Sequence, residues 1–437
     1  VLGIFFALVL SPFGAANLGF PAVIRRILRI VIQILRSFPA LILALTATFL
    51  FGLGTFAGTF AITLYTFAIM TKLTYEDASA ADVKAYQALR AMGVSKYVAY
   101  IHGILPEIIP GFLTNALYLL ETNVRHSSIL GYVGAGGIGL LLNEKISWLE
   151  YDKVGTILLM LFLTVCVIEY FSRYLAALIR KERTIKKEQA RLLLLFLAAL
   201  FLICTFTLSL PDFSRTSPQT LRNMFAGFLQ PDWSFFFSAE KDGLGYLLLE
   251  TVCIAFIGTV IGAIVSAPLA FLNTKRFVPA PVSFLFNLVI MVIRSVPFLV
   301  YGLIFIRVSG PGAFTGVLTL AVCSIGLLTK RFTEALDALD PRPYHALLAM
   351  GVRPLPAICH SVLPQLKPVF TSIILYRFDV NIREASVLGL VGAGGIGAPL
   401  IFSMNQYAWE KAGAIMLGLI LLVWFIDMVS EKIGAGN

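Results

Sequence analysis

Charge is scarce in this chain. Asp, Glu, Lys and Arg make up 13% of its 437 residues, against about 25% in a soluble domain. Hydrophobic residues reach 58% and the mean hydropathy is +0.88, which excludes an ordinary water-soluble fold. Cysteine is sparse too. Cys166, Cys204, Cys253, Cys323 and Cys359 are scattered with no CxxC spacing, so neither a disulfide framework nor a metal site is expected. The four histidines form no HExxH, and neither a catalytic triad nor a phosphate-binding Walker loop occurs. The chain is therefore expected to have no ATPase of its own and no enzymatic centre. It has no initiator Met and opens inside an apolar run, Val1–Leu10. That run is not a signal peptide, because no basic segment precedes it.

What is present is duplicated. Asn123–Gly139 reads NVRHSSILGYVGAGGIG and Asn381–Gly397 reads NIREASVLGLVGAGGIG, identical at 12 of 17 positions. The same spacing of 258 residues, Asn123 against Asn381, holds far upstream without a gap. It pairs Arg36-Ser37-Phe38-Pro39 with Arg294-Ser295-Val296-Pro297, and Ala91-Met92-Gly93-Val94 with Ala349-Met350-Gly351-Val352. A period this long marks a duplicated domain, since solenoid repeats run to about 20–50 residues. In the second half a helix (192–210) and a polar loop precede the point that matches Val1, so the first half is expected to be truncated at its start.

Apolar runs long enough to cross a bilayer lie near 27–50, 54–71, 109–132 and 154–178, after a partial one at 1–10. In the second half they lie near 192–210, 247–272, 282–307, 313–329, 368–390 and 411–430. The net charge of +10 is expected to mark the cytoplasmic side, not a nucleic-acid partner. Arg173, Arg180, Lys181, Arg183, Lys186, Lys187 and Arg191 cluster between the halves. Three segments are expected: a first half, 1–182; a basic cytoplasmic linker, 183–191; and a second half, 192–437. The stretch 211–245, with Pro231-Asp232-Trp233 and Phe235-Phe236-Phe237, is then external. Its aromatics are expected at the membrane–water interface, or else on a docking surface for an outside partner.

Two cytoplasmic loops, 72–107 and 331–365, are long, polar and helical in character. One reads QALRAMGVSKYVAYIHGILP (Gln87–Pro106), the other HALLAMGVRPLPAICHSVLP (His345–Pro364). Gly93 and Gly351 permit a sharp turn between two short helices, and Pro106 and Pro364 suit a helix's first turn. This pattern resembles the EAA loop of ABC-importer permeases. With RS(F/V)P and NxR…LGxVGAGGIG, all present twice, the chain resembles the phosphonate-uptake permease family, duplicated in one polypeptide. The resemblance covers essentially the whole chain. It implies ATPase coupling through Gln87, Ala88, Gly93 and Pro106, and through His345, Ala346, Gly351 and Pro364. One departure stands out: the acidic first residue of the family pattern is Gln87 here and His345 in the second half. That leaves a salt bridge at this position in question, although the helix can still pack.

Several residues are candidates for the transport path. Gly134, Gly136, Gly137 and Gly139, with Gly392, Gly394, Gly395 and Gly397, match GxGxxG formally. A dinucleotide site requires a preceding strand, whereas here a spanning helix precedes. The glycines read either as helix breaks lining a path or as close-packing positions, and both readings stay open. Arg125 and Arg383 lie inside a span, where a charge is costly and functional by default. Glu121 and Asp379 sit one helical turn earlier on the same face. A structural pair and direct contact with a passing anion both remain open. Asn123 and Asn381 can offer amide donors. Arg36 and Arg294 are expected well inside kinked spans, three residues before Pro39 and Pro297. Their guanidinium groups suit phosphonate-like oxygens, and snorkelling at a helix end is the alternative.

The expected fold is thus an all-α polytopic membrane protein of two homologous halves, about six transmembrane helices each, resembling type I ABC-importer permeases. The resemblance implies a bacterial inner-membrane permease for a phosphonate, phosphite or related phosphorus oxyanion. It also implies two copies of a separate ATPase, which carries the ATP and Mg, and an external binding protein. The chain itself is expected to hold no cofactor or metal. The rivals are an ABC permease for another solute such as an amino acid, an ion-coupled secondary transporter, and a non-transporting scaffold or sensor.

Overall fold

The computed structural model describes residues 1–179, 199, 202–206, 218–238 and 243–435. The expected linker 183–191 and most of the expected span 192–210 lie outside the described residues. Among the described residues the chain is helical, without strands, and divides into two compact units, Val1–Leu221 and Arg222–Asn437. Six helices are long and apolar enough to cross a membrane, or up to nine spans if each bent helix pair counts as one.

The first unit runs α1 (Leu2–Gly14), α2 (Ala22–Ser37), α3 (Ala40–Phe51), α4 (Thr55–Ala80), α5 (Lys84–Ala91), α6 (Lys96–Gly103), α7 (Leu105–Leu130), α8 (Ile138–Ser147) and α9 (Tyr151–Ile179). The second runs α10 (Pro218–Leu229), α11 (Trp233–Phe236), α12 (Leu244–Asn273), α13 (Ala280–Ser295), α14 (Phe298–Ser309), α15 (Ala313–Ala338), α16 (Arg342–Ala349), α17 (Pro354–Ala357), α18 (Leu363–Leu388), α19 (Gly397–Asn405) and α20 (Trp409–Ala435). In each unit one long helix, α4 or α15, carries the packing. Glycines bring its neighbours close, because a small residue lets backbones approach. A Cβ on Gly3 would stand 2.6 Å from the Thr63 carbonyl oxygen, and one on Gly262 would stand 2.4 Å from the Ser324 Cβ.

One sequence expectation needs correction. Segments 27–50 and 282–307 are not single kinked spans. Each is two helices, α2–α3 and α13–α14, meeting at 94° and 85°. The residue before a proline is pushed out of the α region: Phe38 takes φ −87°, ψ 126° and Val296 takes φ −77°, ψ 124°. Pro39 and Pro297 then cap the following helix. Arg36 and Arg294 therefore stand in the last turn of a helix, at a break between two helices. Within the two polar segments, α4 and α15 continue to Ala80 and Ala338 before the short helices of each hairpin begin.

The start of α11 is capped by Asp232. The Asp232 carboxylate accepts hydrogen bonds from the backbone N–H groups of Ser234 and Phe235, at 3.0 and 3.1 Å. The Ser234 hydroxyl first, and then those backbone bonds, hold the Asp232 carboxyl below its ordinary pKa. Trp233 and Phe237 remain largely exposed.

Candidate functional site

The polar hairpins form as the glycine and proline spacing predicts. Gly93 and Gly351 take φ +84° and +82°, a region open to glycine at no steric cost. Around them the hydrogen bonds repeat. Val94 N–H reaches the Leu89 carbonyl at 3.2 Å, and Val352 N–H reaches the Leu347 carbonyl at 3.1 Å, the long bond that closes a helix end. Pro106 and Pro364 lie in the first turns of α7 and α18. Gln87, Ala88, His345 and Ala346 are all exposed. In the first unit the hairpin is fastened down: the Tyr86 hydroxyl donates to the Leu18 carbonyl at 2.6 Å. A Cβ on Gly103 would stand 2.9 Å from the Tyr86 backbone, so glycine there lets α6 close on α5. The second hairpin differs by its prolines, Pro354 and Pro356. α17 lasts four residues and passes into a π-helical turn, Ile358–Val362.

Each hairpin leads directly into a spanning helix that carries the carboxylate–arginine pair. Arg125 donates to Glu121 at 2.9 Å, and Arg383 pairs with Asp379. All four side chains are largely buried. The asparagines do something narrower than sequence spacing allows. The Asn123 amide donates to the Thr66 hydroxyl at 2.8 Å. The Asn381 amide, fully buried, donates to the Thr259 and Ser324 hydroxyls at 2.7 and 2.9 Å. Both amides therefore fasten one helix to another. Arg36 and Arg294 are half-buried, and Arg294 packs against Gly326 of α15.

The glycine-rich segments break the helix in both units. After a turn of 3₁₀ helix, Gly134, Gly136 and Gly137 adopt φ of +78°, +76° and +83°, and Gly392, Gly394 and Gly395 adopt +86°, +80° and +77°. A new helix then folds back against the end of the old one. A Cβ on Gly139 would sit 2.0 Å from the Ser128 carbonyl oxygen, and one on Gly397 would sit 2.2 Å from that of Ser386. Break and close packing thus coexist. Each break is pinned to the start of the long helix: Gly54 N–H bonds the Gly134 carbonyl at 3.1 Å, and Gly312 N–H bonds the Gly392 carbonyl at 2.9 Å. In the second unit the Thr251 hydroxyl also accepts from Ile396 N–H at 3.0 Å.

Sequence reasoning missed one constellation. Arg377, 3% exposed, donates to Glu384 at 2.9 Å and to the Ser324 hydroxyl at 3.0 Å. Its repeat partner is Leu119, packed with Ala7 and Met70, and the partner of Glu384 is His126, set edge-on to Tyr65 at 5.1 Å. The signal lay in the repeat alignment, where both positions of the pair change together. Among the described residues no cluster of His, Cys, Asp and Glu could hold a metal ion.

A family model described as "Binding-protein-dependent transport system inner membrane component" matches residues 1–184 and 258–433. The phosphate-import permease protein PhnE of Mycolicibacterium smegmatis is 28% identical, over 94% of this chain and 77% of its own length. The phosphite transport system permease protein PtxC of Stutzerimonas stutzeri is 36% identical, over 42% of this chain and 67% of its own. A putative cryptic phosphonate transport system permease protein, PhnE2 of Escherichia coli, is 37% identical, over 27% of this chain and 96% of its own.

Proposed function

We infer the function from the family: the chain belongs to the binding-protein-dependent transport system inner membrane components. It is a multi-pass membrane permease subunit, not an enzyme. Its cargo is a phosphorus oxyanion, either phosphate, phosphite or a phosphonate, delivered by an external binding protein. The observation that carries the reading is one module present twice: an exposed helical hairpin, a spanning helix with a buried carboxylate–arginine pair, and a glycine-rich break pinned to a neighbouring helix. The likeness to permeases of phosphate, phosphite and phosphonate systems supports the cargo class.

The physical sequence of events follows from the module. ATP and Mg act on a separate ATPase, and two copies of it dock on the hairpins α5–α6 and α16–α17. Movement of an ATPase is passed through the hairpin into α7 or α18, because α6 meets α7 at one bend of 68° and α17 runs on into α18 as one continuous helical stretch. Gly134, Gly136, Gly137 and Gly139, and their partners Gly392, Gly394, Gly395 and Gly397, form the gates. Arg125 and Arg383 offer the anion a guanidinium that Glu121 and Asp379 keep oriented, while Arg36 and Arg294 line the path at the helix breaks. Such a path binds weakly, since it must release what it accepts.

The test is uptake in proteoliposomes holding this chain, its ATPase and its binding protein, with labelled phosphonate, phosphite, phosphate and methionine. ATP-dependent uptake of a phosphorus anion supports the reading. Uptake that ignores ATP and follows an ion gradient overturns it. Arg125→Gln or Arg383→Gln should lower uptake at least about tenfold, the cost of about 1.4 kcal/mol, with the complex intact. Unchanged uptake in both variants removes these arginines from the path.

A further inference from the structure

The two hairpins share some features and differ in others. They differ at Gln87 against His345, Arg90 against Leu348, and Lys96 against Pro354. They share an aspartate, Asp82 or Asp340, whose carboxylate accepts from the backbone N–H of Lys84 or Arg342, at 3.0 Å in both. They share an exposed cation at that position, with the Lys84 side chain 88% and the Arg342 side chain 91% exposed. At the tip both carry a methionine, Met92 or Met350, each 71% exposed. The glycine after it has no atom within 4 Å of where a Cβ would stand, so the described residues leave the glycine side of the tip open.

The helices that lead into the hairpins run on past their apolar stretches. α4 turns polar at Lys72 and α15 at Lys330, and each continues for nine residues, to Ala80 and Ala338. At 1.5 Å per residue that is roughly 13 Å, more than the ~5–8 Å of a headgroup layer. A soluble protein is therefore the occupant, not the bilayer. Two identical copies of it would meet both hairpins, so the features that the hairpins share are the candidates for a common anchor.

Building on the permease reading, we propose that each ATPase is anchored by the tip methionine, seated in an apolar socket, with the Lys84 or Arg342 cation meeting an acidic group at the socket's rim. An unbranched, polarisable methionine adapts to a pocket of irregular shape. The local pairs of Lys84 with Asp82 and Arg342 with Asp340 are exposed, so they are cheaply exchanged for a partner's carboxylate.

The test uses the full chain in nanodiscs and the ABC ATPase that co-purifies with it. Met92→Asp/Met350→Asp should weaken ATPase binding at least about tenfold, as loss of a buried anchor does, with the thermal unfolding of the chain unchanged. Lys84→Glu/Arg342→Glu should slow association and flatten its salt dependence. Binding that survives the methionine change but fails with Gln87→Ala/His345→Ala overturns the proposal alone. So does a Met350→Trp emission quenched by brominated lipid without ATPase, which would make the bilayer the occupant. If no ATPase accompanies the wild-type chain, the permease reading falls and the anchor with it.

Discussion

Arg377 illustrates how one residue separates the two units. It is buried with Glu384 and Ser324, where the first unit has Leu119 and His126. A buried ion pair is weak evidence of stability, yet removing one partner strands the other charge and costs about 3–5 kcal/mol. Arg377→Leu and Glu384→His should each lower the folded yield and the thermal midpoint in detergent. Arg377→Leu/Glu384→His, which installs the first unit's own residues, should recover a large share of the loss. Thermal unfolding of the four proteins closes the cycle, and strictly additive losses would show that the pair does not act as a unit. The pair escaped the sequence reading because its members are seven residues apart, two turns of helix. Such residues meet only if both side chains are long and lie along one face, and no local spacing rule signals that.

At the scale of elements, the hairpins and the helix breaks were legible because glycine and proline act locally. Gly93, Gly351, Pro106 and Pro364 fix backbone angles without reference to the rest of the fold. The bends at Pro39 and Pro297 were legible as positions but not as angles. A proline announces a disturbed helix, while packing against α4 or α15 decides whether it kinks or divides. The folded-back helices give a sharp test. Gly139→Ala and Gly397→Ala place a methyl 2.0 and 2.2 Å from a backbone oxygen, and each should lower stability by more than the ~1–3 kcal/mol typical of overpacking. Gly155→Ala, in open surroundings on α9, should be neutral or stabilising by up to about 1 kcal/mol. The turn after α8 adds a pH dependence. Lys153 and Lys145 bond the Glu150 carboxylate at 2.9 and 3.2 Å and hold it below its ordinary pKa, Lys153 being the larger cause. A depressed carboxyl contributes stability above its ordinary pKa, and that contribution is lost as pH falls through the folded value. The hydrogen-exchange protection of residues 144–153, taken relative to the intrinsic exchange rate at each pH, should therefore fall as acid is added through and below the usual carboxylate range. In Glu150→Gln that acid step should be absent.

At the scale of the whole molecule, the duplication bears on assembly. A permease module with one hairpin offers one seat, so a complex with two ATPases needs two such modules. Here one chain carries both hairpins, at Met92 and at Met350, so the two proposed seats are covalently joined. Native mass spectrometry of the detergent-extracted complex should give one permease chain to two ATPases, whereas two permease chains per complex would mean that one hairpin of each is idle. The two seats can then be closed separately. Met350→Asp should leave a complex of one chain and one ATPase, and Met92→Asp should leave the same mass. Transport should fall in both, because a motor that works by closing two nucleotide-bound subunits on each other has no partner to close upon. A variant that keeps two ATPases and full transport after either change would place the seat elsewhere on the hairpin. A variant that loses both ATPases at once would show that the second docks on the first, not on the permease.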